Sequence, residues 1–335
     1  MPATLVPVGG LSTEQVREAL LAATRAPSLH NSQPWRFRCT PSTIELHADV
    51  DRALPAADPD NRELLLACGA ALLNLRLAIR GLGYYPDVRL FPDHRRPELL
   101  ATVRPRGHQM ASPAEQRLIA AIPRRRTNRQ PFFDETFTGP ERDALRRAAE
   151  AERSWLALLP PEQVPTLRQL VQQAHFLQQE DPGFVAEWQR WTGRPFGESD
   201  GVPVSSGGPL PEAHDEWTLR DFTAGQGRRR VEGKDFESAP LIVVIGSFHD
   251  LPPARLQAGQ AMQRVLLTAI DHGMSASFLS QVVEVPETRR KLRTLIGGGL
   301  WPQAVLRLGR GSPVPRTPRR PLEDLAEVTD VEPEA

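Results

Sequence analysis

The sequence predicts an α+β fold built from two related halves, and three observations carry the prediction. A long apolar helix with a small-residue entry occurs twice, since Gly69, Ala71, Leu72, Leu75, Leu77 and Gly83 match Gly259, Ala261, Met262, Val265, Leu267 and Gly273 in spacing. Small residues let such a helix approach a neighbour closely, and the glycine at its end stops it before a strand. Short strands of alternating or wholly apolar character stand between helices, a pattern that suits a mixed or mainly antiparallel sheet. No GxGxxG joins a strand to a helix, and Gly297-Gly298-Gly299 follows a helix, which argues against a dinucleotide-binding parallel fold. Two unrelated amphipathic helices could share the repeated spacing, so that observation alone leaves the repeat open.

The elements follow in order. Ser12 with Gln15 three places on forms a capping box before Val16, Ala19, Leu20 and Ala23, and Pro27 stops that helix. Residues 35–39 and 44–48 alternate apolar and polar side chains as a half-buried hairpin does, with Pro41 and Ser42 at the turn. Asp60 precedes a helix over about 62–82, and a strand follows near 88–91. A short helix ends just before residue 124. The second part predicts helices at 163–179 and 289–295, a buried strand at 241–246 and a last strand at 304–308. Between 192 and 235 runs a stretch rich in Gly, Pro, Ser and charge, too long for an idle loop. Trp217, Leu219 and Phe222 give it a means of docking, so it reads as a lid over a pocket. Beyond Leu322 the chain is acidic and reads as a frayed tail.

At 335 residues the chain suits two domains or one fused double unit. Its 41 acidic and 41 basic residues balance, which excludes an electrostatic footprint for nucleic acid or an anionic membrane while leaving local arginine runs free to hold a small anion. Cys39 and Cys68 lie in no metal-ligand spacing and read as reduced core thiols of a cytoplasmic protein. The start has no basic segment followed by an apolar one, and no run of about 18 apolar residues occurs. The sequence also lacks GxxxxGK[ST], GxSxG and HExxH, so an enzyme of this sequence relies on a cofactor for its chemistry.

Two segments carry candidate chemistry. In Ala26-Pro27-Ser28-Leu29-His30-Asn31-Ser32-Gln33-Pro34-Trp35, two prolines fix a polar loop whose Ser28, Asn31 and Gln33 can meet the edge of a planar heterocycle. A capped turn between helix and strand explains the same residues. In Arg124-Arg125-Arg126-Thr127-Asn128-Arg129, close guanidinium groups beside a hydroxyl can grip a phosphate. A solvated basic turn is the alternative.

Together these segments resemble a known family. The loop is similar to the PSxxNxQPW segment of the nitroreductase superfamily, and Arg125-Arg126-Thr127-Asn128-Arg129 is similar to that family's RRSxR segment. Their order is reversed relative to ordinary members. That reversal, with Asp58-Pro59-Asp60-Asn61-Arg62-Glu63, Asp200-Gly201-Val202-Pro203 and Thr317-Pro318-Arg319-Arg320-Pro321, resembles the Acg-like branch of FMN-binding proteins over almost the whole chain. The resemblance implies a nitroreductase-like α+β fold in which two fused halves replace the usual homodimer. The first half spans 1–112 and carries the loop; the second spans 113–325 and carries the arginine segment and the lid; 326–335 is an acidic tail.

Each half holds one half-site, so the resemblance implies one FMN per chain. Arg125, Arg126, Thr127 and Arg129 would hold its phosphate and ribityl chain, with Arg319 or Arg320 adding charge. Pro27, Ser28, Asn31 and Gln33 would face the isoalloxazine, and Phe278, Leu279 and Ser280 would present backbone near its N5. His30 reads as a hydrogen-bonding spacer more readily than as an acid. The flavin carries the chemistry and no catalytic side chain is assigned. The activity implied is ping-pong reduction of nitroaromatic or quinone-like acceptors by NAD(P)H. The alternative is a stress-responsive protein that sequesters FMN beneath its lid with little turnover. An internal pseudo-dimer makes a monomer the default, with a further homodimer open.

Overall fold

The computed structural model describes residues 5–195, 197–212, 215, 217–218, 220–230, 236–237 and 240–328. Helix α1 (Thr13–Ala23) starts from the predicted capping box, in which the Ser12 amide donates to Gln15 Oε1 at 2.9 Å and the Gln15 amide donates to Ser12 Oγ at 3.3 Å. Strands β1 (Trp35–Cys39) and β2 (Ile44–Ala48) form the predicted antiparallel hairpin, with Trp35, Phe37 and Cys39 turned to the core. Helix α2 (Arg62–Gly81) begins where both Asp58 carboxylate oxygens accept amides, those of Glu63 at 2.9 Å and Leu64 at 2.8 Å. It is long and apolar enough to cross a membrane, yet nearly all of its surface is covered by the rest of the protein.

Strand β3 (Tyr84–Leu90) begins earlier than the alternation near 88 suggested, and β4 (Leu99–His108) pairs with both β3 and β2. Then come α3 (Pro113–Ala121), α4 (Gly139–Glu150), β5 (Trp155–Leu158), α5 (Val164–Gln179) and α6 (Pro182–Trp191). After the long connection follow β6 (Leu241–Ser247), α7 (Pro252–Asp271), β7 (Ser275–Phe278), α8 (Gln281–Glu284), α9 (Pro286–Leu295), β8 (Trp301–Gly309) and β9 (Ala326–Val328).

The strands make two sheets, ordered β3-β4-β2-β1-β9 and β5-β6-β8-β7. The first is edged by β9, the last strand among the described residues, which crosses back from the second half to lie parallel to β1, with the Phe37 amide donating to Leu325 O at 2.7 Å. This corrects the tail boundary: Leu325 and Ala326 are buried, and their burial holds 326–328 in the sheet where the acidic composition suggested fraying. The rest of the expected tail, 329–335, lies outside the described residues, as do Leu219 and 231–235 of the expected lid.

Helices α2 and α7, the two copies of the repeated pattern, pack against each other at their matching glycines. A Cβ on Gly69 would lie 2.1 Å from Leu256 O and 2.9 Å from Gly259 Cα; one on Gly259 would lie 2.2 Å from Leu66 O. Each glycine thus abuts the carbonyl three residues before the other, which is the reciprocal contact expected of a two-fold relation between halves. One continuous core runs through this crossing from Phe37 and Leu72 to Met262, Ile245 and Leu306. Both cysteines are free and buried, and burial pushes the Cys39 thiol up to about 12 and the Cys68 thiol higher still.

Candidate functional site at the contact of the two halves

The loop after α1 has an unusual backbone. His30, Asn31 and Gln33 have φ of +50°, +57° and +53°, a left-handed conformation that non-glycine residues adopt at a cost. The surroundings hold it in place. Gln33 N donates to Ser28 Oγ at 2.9 Å; the Asn31 amide donates to Gly201 O at 3.0 Å and Pro318 O at 3.2 Å, while its Oδ1 accepts from Arg319 Nη1 at 2.8 Å.

The arginine segment leaves the end of α3, where Arg125 N donates to Ala121 O at 3.0 Å, and is laid along the start of β7 by Asn128 N donating to Ala276 O at 2.8 Å. Residues 316–319 arrive from beyond β8. These three segments, from opposite halves of the chain, line one cavity of about 1100 Å³ counted to its open mouth.

Pro27, Ser28, Asn31, Arg125, Arg126, Thr127, Arg129, Phe278, Ser280 and Arg319 all line it. Three predicted residues do not. Gln33 is fully buried and acts as a clamp, donating to Ser199 O at 2.9 Å and accepting from Arg320 N at 2.9 Å. Arg320 turns away to Asp49 at 3.3 Å. Leu279 packs into the core of the second half beside Trp217, Val282 and Val305.

Residues that the sequence motifs do not mark contribute too: Arg25 and Arg316 join the lining, as do Glu63 and Met262 from the two paired helices. Arg25 stands next to the loop motif and Arg316 next to the carboxyl-terminal one, but only the fold brings the two together.

The electrostatics of the cavity are one-sided. Among the described residues, Arg25, Arg125, Arg126, Arg129, Arg316 and Arg319 line it with no carboxylate within ion-pair distance of any of them, and Arg125 Nε is buried without a hydrogen-bond partner. Burial, together with the charges of Arg319 and Arg126, holds Arg125 down at about 9; burial with Arg25 and Arg126 holds Arg319 at about 10. Burial and Arg316 likewise depress Arg25 and Arg126. Five guanidiniums therefore repel one another in one corner, a state that a bound anion relieves.

Arg129 stands apart from that corner. Burial alone depresses it, to about 10; its guanidinium lies 4.0 Å from the Phe222 ring centroid, and its Nη1 donates to Ser206 O at 2.7 Å.

His30 lies at the same end as Arg129. It is 3 % exposed, meets Trp188 edge-on at 5.0 Å, and neither ring nitrogen has a partner. Burial, opposed by Glu284 and aided by Arg220 and Arg129, pushes it down to about 3, so the imidazole is neutral at physiological pH. A neutral ring offers one donor and one acceptor. Val202 and Phe222, from the connection between α6 and β6, line this end.

Fold and cavity together define an α+β protein with an arginine-lined cavity between segments from both parts of the chain. Comparison with known proteins places it further. A scan against protein-family models finds no match. The chain is 36 % identical over 323 residues to "Putative NAD(P)H nitroreductase Rv3131" of Mycobacterium tuberculosis, covering 94 % of this chain and 91 % of that one. It is 32 % identical over 334 residues to "Putative NAD(P)H nitroreductase acg" of the same organism, covering 98 % of each. Among solved structures, a nitroreductase with bound FMN from Bacteroides fragilis overlaps 61 % of this chain and 94 % of its own at 14 % identity and a TM-score of 0.38. A nitroreductase-type protein from Anabaena variabilis overlaps 90 % of this chain and 88 % of its own at 10 % identity and a TM-score of 0.43. On the strength of the full-length sequence relatives, the chain belongs to the nitroreductase superfamily, in the branch of Acg.

Proposed function

We propose that this chain binds one FMN in the cavity between its halves and acts as an NAD(P)H-dependent oxidoreductase on nitroaromatic or quinone-like small molecules. The observation that carries the reading is the corner of five guanidiniums without counter-ions, formed by motifs from opposite halves. A phosphomonoester suits it, because a dianion with several acceptor oxygens satisfies closely spaced arginines.

Arg125, Arg126 and Arg319, supported by Arg25 and Arg316, would hold the phosphate. Pro27, Ser28, Asn31, Phe278 and Ser280 would line the ring end, with Arg129 there as well and no longer in the phosphate grip. When bound, the flavin supplies a hydride acceptor and donor, so the protein need provide no nucleophile. What the chain's own residues do is position and seclude. Asn31 ties the loop to Gly201 and Arg319, Phe222 and Val202 exclude water, and Glu63 is the carboxyl group at the wall, held at about 7 by burial. We place the division between halves at 112/113 and read the protein as a cytoplasmic monomer with an internal pseudo-dimer.

A second reading is favoured by residues 199–206. Asn31 donates to Gly201 O, Gln33 to Ser199 O and Arg129 to Ser206 O, while Arg52 pairs with Asp200, so this short segment is fastened beside the cavity at four points. A segment so held would sequester a flavin from NAD(P)H. The absorbance spectrum of freshly purified protein after incubation with FMN tests binding, and a colourless protein refutes both readings. Anaerobic addition of NADPH and NADH separates them: bleaching by one of them supports the reductase, and a flavin spectrum that persists with both supports sequestration.

A further inference from the structure

The guanidinium corner occupies one end of the main cavity, and helix α2 shows what stands at the other. Glu63, Leu66 and Ala67, at helical spacing, share the face of α2 that lines the cavity. Ile122, which leads into the arginine segment and also lines the cavity, clusters with Leu73 and Leu77 further along the same helix. From Glu63 to Leu73 the helix rises about 15 Å. Glu63 therefore lies at the end away from Arg125. The charge of Glu284 on α8 reaches both Glu63 and His30, which sets these three groups together at the ring end.

Among the described residues, Glu63 is the one carboxyl group in the lining. Its side chain keeps 14 % of its surface exposed, and that surface faces the cavity it lines. Arg62 Nη2 donates to its Oε1 at 2.5 Å, while Oε2 takes no hydrogen bond from the described residues. Burial raises the carboxyl to about 7; the Arg62 charge opposes this, and those of Asp58, before α2, and Glu284 add to it. Arg62 stands within reach of Arg289 on α9, and Glu284 is neutralised by Arg220 at 2.5 Å. His30 is neutral, and Arg129 is the cation at this end. A carboxyl so poised gains a proton when negative charge is added beside it.

We propose that Glu63 is the proton store of this site: as a flavin in the cavity takes two electrons and one proton, the Glu63 carboxylate takes a second proton from solvent. The electrons leave the ring one negative charge richer, and that charge favours the protonated carboxyl. The loaded site then holds two electrons and two protons. Such a load matches the proposed acceptors, because a quinone becoming a hydroquinone, or a nitro group becoming a nitroso group and water, consumes two of each. Glu63 returns to carboxylate as they leave. The inference rests on the main cavity being the flavin's, and it applies to either reading of function, since NAD(P)H or a chemical reductant loads the ring alike.

Potentiometric titration of the FMN-loaded protein with dithionite, at pH 6 and pH 8, counts the protons taken up with each electron pair. Glu63→Gln keeps the size of the side chain but cannot titrate. At about pH 8 the unaltered protein is expected to take up about half to one proton more than this variant, and at about pH 6, where the carboxyl is already protonated, the two should agree. Protonation of the ring itself is common to both proteins and drops out of the difference. Equal counts at both pH values overturn the proposal. Reduced-minus-oxidised infrared spectra of the unaltered protein at pH 8 test it where Glu63→Gln fails to fold or to hold FMN. A carboxylic acid C=O stretch should appear as a carboxylate stretch is lost. No such exchange, or one that survives in Glu63→Gln, overturns the proposal as well. Protein that takes up no FMN refutes the flavin reading, whereas yellow protein whose proton count ignores Glu63→Gln refutes this inference alone.

Discussion

Replacing Gly259 with Ala tests the crossing on which the two-half architecture hangs. The new methyl carbon would sit 2.2 Å from Leu66 O and 2.8 Å from Leu66 Cα, both backbone atoms of the facing helix. No rotamer change relieves such contacts. The helices must separate by on the order of 1 Å, and overpacking of this kind costs about 1–3 kcal/mol, with a backbone clash at the upper end. Unfolding entropy of about 2.1 cal/mol/K per residue over a chain of this length converts 3 kcal/mol into a fall in Tm of about 4 °C. Calorimetric melting of the two proteins is the assay. The reciprocal change Gly69→Ala meets Leu256 O at 2.1 Å, so it should cost a similar amount. Once one methyl has forced the helices apart the second needs less room, so the double variant should lose less than the sum of the single losses. Single shifts under 1 °C, or strictly additive ones, would refute the reciprocal contact.

Further predictions concern buried carboxyl groups. Burial raises Glu63 to about 7; Arg62 opposes this, and the charges of Asp58 and Glu284 add to it. Its folded value exceeds the ordinary 4.5, so the stability linked to it is full below pH 4.5 and is lost as pH rises through 7, by at most about 3 kcal/mol. Glu63→Gln should therefore gain stability relative to the unaltered protein between pH 5 and pH 8 in urea titrations, and a difference independent of pH would count against this. Glu284 shows the opposite sign: burial acts to raise it, but the charge and hydrogen bonds of Arg220 prevail and hold it at about 2. Its contribution is present above pH 4.5 and lost as pH falls toward 2, and Glu284→Gln, which strands the buried Arg220 charge, should cost about 3–5 kcal/mol at pH 7. A loss under 1 kcal/mol in chemical denaturation would show that the pair is not the buried bridge described.

The features legible in the sequence were those that local chemistry dictates. Ser12 and Gln15 announce a helix start by bonding each other, and the alternation from Trp35 to Ala48 fixes a hairpin whose turn spans Pro41 and Ser42. The glycine spacing read as a possible repeat is a contact in space, since Gly69 and Gly259 abut. Strand β4 was less legible because Pro105 and Gly107 interrupt its alternation; near the end of the strand, paired with Pro86 of the edge strand β3, that proline is tolerated. Strand β9 was hidden for a different reason. Its three residues gain their order from β1, some 290 positions away in sequence, and the acidic residues around them say only that the segment is polar. The site divides along the same line. Ser28, Asn31, Arg125 and Arg319 belong to recognisable motifs and meet in the cavity, whereas Gln33 and Arg320 share those motifs but bond to each other and to neighbouring loops. Spacing along the chain put Arg129 with Arg125; the turn at 127–128, pinned to Ala276, sends it to the other end beside Phe222.

In the proposed function, five guanidiniums from opposite halves grip the phosphate of a single FMN. Titration with FMN and with riboflavin, which lacks only the phosphate, measures that grip directly. One FMN should bind per chain, at least about 100-fold more tightly than riboflavin. Arg125→Ala should weaken FMN by about 10- to 100-fold, the loss of a charge-assisted bond, while leaving riboflavin unchanged. Equal affinity for the two flavins, or an Arg125→Ala variant that holds FMN as tightly as before, would contradict it.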